Sequence, residues 1–104
     1  MIRKQINFRL GLYPFTLEFK TREENKGYDG RTWHNERKIT VADDLDEIST
    51  TITIRHEIVH ALLATQGRVF QKKFDIEEMC EFIAYKLPEI NEVMGYIENS
   101  LWER

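Results

Sequence analysis

Along the first twenty residues the chain alternates: Ile2, Ile6, Phe8 and Leu10, then Phe15, Leu17 and Phe19, fall on a period of two. The pattern predicts two half-buried strands, with Gly11 and Pro14 marking the turn between them. A polar loop from Glu23 to Gly27 follows, and Tyr28 to His34 and Lys38 to Ala42 read as a hairpin turning near Asn35-Glu36. Past Asp43-Asp44 the period changes. Ser49-Thr50-Thr51 precedes Ile52, Val59 and Leu63, which share one face when each residue turns about 100°. A helix ending at Gly67 as its C-cap is the expectation. Asp75 then reads as the N-cap of a helix with Ile76, Met79, Cys80, Ile83 and Leu87 inward, ended by Pro88. Glu89 to Trp102 makes a last helix with Ile90, Val93, Met94, Ile97 and Leu101 inward; Leu101 and Trp102 either pack on the core or mark a partner surface. Strands first and helices after predict an α+β fold, a small and mostly antiparallel sheet covered by three helices.

At 104 residues this is one domain spanning 1–104, with 12% aromatic residues and only seven Gly and Pro, which argues against disorder. Its apolar runs fall well short of the ~20 residues that cross a bilayer, and no signal-peptide pattern leads the chain. A lone cysteine, Cys80, fits a reducing compartment and reads as a small buried apolar residue, so the expected location is cytoplasmic. Charge is uneven: residues 1–38 carry nine Lys/Arg against five Asp/Glu, and residues 39–104 carry six against thirteen. The isoelectric point of 5.6 argues against a nucleic-acid partner, because such domains usually lie above ~9.

Chemistry enters with His56-Glu57-Ile58-Val59-His60, an HExxH motif inside the expected helix. Histidines at i and i+4 project from adjacent turns of one face, so both imidazoles can converge on a single ion at about 2.0–2.1 Å, zinc being the natural one. Glu57 lies roughly 100° round the helix from His56, off the ligand line but placed to act on a water as general base. Burying two imidazoles beside a carboxylate with neither metal nor partners would cost several kcal/mol. A third ligand is needed. Leu63 and Gln66 stand where the metzincin pattern requires Gly and His, and no histidine follows His60, so the ligand must be a carboxylate. With Ile76 at zero on its helix, Glu77 lies near 100°, Glu81 near 140° and Glu78 near 200°. Glu77 borders the apolar face and is the expected ligand. Glu81, one turn on, is the candidate to hold a ligand histidine by its Nδ1–H, and Glu78 faces solvent.

HExxH on one helix and a Glu on the next resembles the gluzincin zinc metallopeptidases. The stretch Lys38-Ile39-Thr40-Val41, an acidic turn, Leu45, and Thr53 to Leu63 is similar to ImmA/IrrE-type peptidases and minigluzincins. Glu77-Glu78-Met79-Cys80-Glu81-Phe82-Ile83-Ala84 resembles their Glu-x-x-Ala-Asn-x-Phe-Ala segment, with Glu77 at the ligand position and Glu81 in place of Asn. The likeness spans residues 28–87. It implies a zincin-like fold and a regulatory peptidase associated with phages or mobile elements, acting on a protein or peptide substrate. This chain is shorter than most members and has no helix-turn-helix or separate substrate domain, so substrate identity does not carry over. In such folds the strand before the active helix rims the cleft and pairs with an extended peptide. Tyr28 to His34 is the candidate rim, with Trp33 or His34 as a donor toward the developing oxyanion and Tyr85 as another candidate.

Overall fold

The computed structural model describes residues 5–65 and 76–101; the side chains of Ile76, Glu77, Glu78 and Cys80 lie outside that description. The elements are β1 (Gln5–Leu10), β2 (Tyr13–Lys20), β3 (Gly30–Trp33), β4 (Lys38–Ala42), α1 (Glu47–Thr65) and α2 (Ile76–Leu101). The four strands form one mixed sheet in the order β1-β2-β4-β3. Both hairpin ladders, β1 with β2 and β3 with β4, are antiparallel. The loop after β2 carries the chain to the far edge, so β4 returns between β3 and β2 and pairs with β2 in parallel. The α+β class therefore stands, with a mixed sheet.

Gly11 turns the first hairpin with φ at +62°, a conformation that favours glycine. Pro14 lies within β2 rather than at the turn, opposite Arg9 and ahead of the first parallel pair, Thr16 with Lys38. Its missing N–H thus removes nothing from the β2–β4 ladder.

Strict alternation sends Ile6, Phe8, Leu10, Phe15, Leu17, Ile39 and Val41 to one face, where all are buried. Both helices cover that face, α1 lying on β3 and β4, and α2 on β1. The opposite face carries a polar knot. Thr40 Oγ1 donates to Asn25 Oδ1 at 2.6 Å and accepts from Trp33 Nε1 at 2.9 Å. The Thr40 bond ties the loop to the sheet it crosses, and Asn25 Nδ2 donates to Tyr28 O at 2.8 Å within that loop. Asn25 and Thr40 are nearly inaccessible, so each of these bonds replaces water the groups have lost.

Three expectations are corrected. First, α1 starts at Glu47, not at the Ser-Thr-Thr run, because Asp46 is the N-cap: its Oδ1 accepts from Ser49 N at 2.7 Å. Second, α2 runs through Pro88 as one helix, so there are two helices among the described residues and not three. A proline inside a helix costs about 3 kcal/mol, but Ile90, Val93, Met94, Ile97 and Leu101 continue the buried stripe begun by Phe82. Each such side chain contributes roughly 1.5–3 kcal/mol on burial, and Pro88 itself is exposed, so packing outweighs the break. Third, Ile52, Ile83 and Leu87 are exposed rather than inward, while Val59 and Leu63 are half-buried. The core side of α1 is Ile54, Ile58, Ala61 and Leu62. Helix α1 carries two apolar stripes, and periodicity alone does not say which one meets the sheet. The Gly67 and Asp75 caps and Trp102 fall outside the described residues.

Thr40→Val strands both the Trp33 N–H and the Asn25 carbonyl; urea unfolding is expected to show a loss of about 1–3 kcal/mol. Acid supplies a second test. Arg22 donates to Asp44 and thereby lowers its carboxyl pKa, and the Ser49 amide lowers that of Asp46. A depressed folded pKa gives stability that is present above the unfolded value, 3.8, and lost as pH falls through the folded one. The Tm gap between wild type and Asp46→Ala should therefore be constant near neutral pH and close below about pH 4 in calorimetric scans.

Candidate metal centre

The roll of α1 about its axis sets the site. Taking Glu57 as zero, the buried residues Thr50, Ile54, Ile58, Ala61 and Leu62 span about 20° to 140° on one side. His60 and His56 fall at about −60° and −100° on the other, and Ile52, Val59 and Leu63 at about −120° to −160°. Glu57 thus stands at the border of the buried arc, with the two histidines just outside it. Burial follows: Glu57 is 6% exposed, whereas the His56 side chain is 67% exposed and His60 is also exposed. The imidazoles therefore incur no cost of core burial; the carboxylate does.

His56 Nε2 and His60 Nε2 stand 3.1 Å apart, their rings set edge to face. Two nitrogens bound to zinc at tetrahedral positions stand about 3.3–3.4 Å apart, a few tenths of an ångström more than this pair. The same approach is satisfied when one ring's N–H donates to the other's lone pair. Glu57 Oε2 lies 4.0 Å from His56 Nε2.

What holds the carboxylate comes from β3, the edge strand. Thr32 Oγ1 lies 2.6 Å from Glu57 Oε1 and 3.2 Å from the Glu57 carbonyl oxygen, and donates its proton to the nearer carboxylate oxygen. Gly30, two residues earlier on the same face, lets the strand come close. A Cβ there would lie 2.6 Å from Thr53 Cγ2, 3.0 Å from Glu57 Cγ and 3.3 Å from Glu57 Oε2. Neither Gly30 nor Thr32 was singled out from sequence. A glycine inside a strand pattern is the available signal, since it marks close approach of another backbone or side chain.

Glu77 sits in the first turn of α2, but its side chain is outside the described residues, as is that of Cys80. Among the described residues, no group of three or more His, Cys, Asp or Glu side chains is placed to hold one ion. Glu81 is exposed and makes no hydrogen bond or ion pair with either histidine. Trp33 spends its N–H on Thr40, and Arg31 lies over its ring at 4.1 Å, so it is engaged on the opposite face of the sheet. His34 has a buried Nδ1 with no hydrogen-bond partner among the described residues. Tyr85 is 81% exposed, with Lys86 Nζ over its ring. Leu101 packs in the core.

No helix of the described residues is long and apolar enough to cross a membrane. No protein-family model, curated protein or solved structure matches the chain.

The tight approach of β3 to α1 is testable. Gly30→Ala should destabilise by about 1–3 kcal/mol in chemical unfolding, the usual range for overpacking. Thr53→Ser removes the nearest methyl and should recover part of that loss in the double variant.

Proposed function

We propose that the chain is a zinc-dependent metallopeptidase with a zincin-like arrangement, cutting a protein or peptide substrate. The observation that carries this reading is the convergence of His56 and His60 to 3.1 Å beside a buried glutamate whose Oε2 is 4.0 Å from His56 Nε2. His56, His60 and Glu77 would hold the ion, the last from the first turn of α2, with Glu81 one turn further along. When bound, zinc supplies Lewis acidity to a scissile carbonyl and lets a water attack near neutral pH.

The chain's own residues do the rest. Glu57 accepts the proton that the water releases as its oxygen bonds to the carbonyl carbon. It then returns that proton to the departing amine nitrogen as the C–N bond breaks, leaving a carboxylic acid and an amine. Glu57 suits this task because Thr32 already occupies Oε1, which leaves Oε2 directed to the histidine side. Strand β3 is an edge strand of the sheet, and its outer backbone groups offer an extended peptide a ladder of hydrogen bonds next to α1. A purely structural site has four protein ligands and no use for a carboxylate held beside them.

Zinc analysis of protein purified without tag-derived nickel tests the centre. About one zinc per chain is expected in wild type and in Glu78→Ala, with loss in His56→Ala, His60→Ala and Glu77→Ala. Glu57→Gln should keep its zinc while cleavage of a fluorogenic peptide mixture falls by roughly 10² or more. Wild type that takes up no zinc even on reconstitution, or Glu57→Gln that cleaves normally, overturns the reading.

A further inference from the structure

We infer that Thr32 is the positioning residue of this centre: from the edge strand it fixes which oxygen of Glu57 faces the histidines. The inference rests on the metallopeptidase reading for what Glu57 does, and on the observed geometry for how Glu57 is held.

A glutamate has two equivalent carboxylate oxygens and three side-chain torsions, so on a helix surface it would spread among many arrangements. Here those freedoms are removed from two sides. The Thr32 hydroxyl holds Oε1 at 2.6 Å from a strand that cannot shift independently of β4, to which Gly30, Arg31, Thr32 and Trp33 are all paired. Gly30 supplies the space: a Cβ at that position would stand 3.0 Å from Cγ and 3.3 Å from Oε2, against the free half of the carboxylate. The two oxygens become unlike. Oε1 is turned to the sheet and already hydrogen-bonded, and Oε2 is left 4.0 Å from His56 Nε2. Without the hydroxyl, Oε1 loses its only donor among the described residues, and the side chain is free to rotate outward and approach an ion held by the histidines. Thr32 therefore does two things: it aims the base, and it keeps the base from becoming a ligand.

Thr32→Val preserves shape and removes the donor, Thr32→Ala is a second variant lacking it, and Thr32→Ser restores it. Each is checked for folding by circular dichroism. Two readouts are taken. The first is steady-state cleavage of the fluorogenic peptide mixture by zinc-loaded protein. Thr32→Val and Thr32→Ala should lose roughly tenfold or more in kcat with KM within about twofold, and Thr32→Ser should stay within about threefold of wild type. The second is the visible absorption of cobalt-substituted protein, which needs no substrate. A changed band in Thr32→Val and Thr32→Ala, abolished by adding Glu57→Gln, with a wild-type band in Thr32→Ser, supports the inference. Folded Thr32→Val with wild-type kcat and wild-type band overturns it. Should wild type bind cobalt but cleave nothing, the peptidase reading fails and the band alone decides on Thr32; should it bind no metal, both fall.

Discussion

A carboxylate buried between a helix and a sheet must be given a donor, and most of the candidate site follows from how this chain meets that demand. Glu57 lies at the margin of the buried arc of α1, and its side-chain donor among the described residues comes from β3. Thr32 supplies the hydroxyl and Gly30 the room. With Ile54, Ile58, Ala61 and Leu62 against the core, Glu57 comes to β3 and His56 and His60 face outward about 60° to 100° further round. Within the motif Glu57 and Ile58 are turned inward, and the two histidines are exposed with their Nε2 atoms facing each other.

The sheet is divided by the same logic. Its core face takes both helices, but they rest on different strands, α1 at the β3–β4 end and α2 at the β1 end. Its other face carries no helix among the described residues, and there Asn25, Thr40 and Trp33 close the long connection onto the sheet with hydrogen bonds instead of apolar contact. That connection is what allows β3 to be the edge strand beside α1, because it carries the chain past β2 before the hairpin folds back.

Much of this was legible in the amino-acid order. Alternation located three strands closely and β3 within a longer segment, because one face of each is apolar and a one-residue slip would expose it. HExxH on a helix was readable because its spacing is local. What was not legible depends on partners distant in the chain. Two apolar stripes on α1 are equivalent until a sheet chooses between them, so the period points Ile52 inward while the fold exposes it. Pro88 signals a break by local rules, and only the stripe continued on either side of it overrides them. Thr32 lies 25 residues from Glu57, and no periodicity couples a strand hydroxyl to a helix carboxylate.

The separate seating of the two helices has a consequence for how the molecule holds together. The halves of the sheet meet along the parallel β2–β4 ladder, and α1 belongs to one half while α2 belongs to the other. An ion shared between two histidines of α1 and a glutamate of α2 would act as a strut across that division. Its binding energy would then enter the folding equilibrium directly, and a chelator would act on the whole domain, not on one helix.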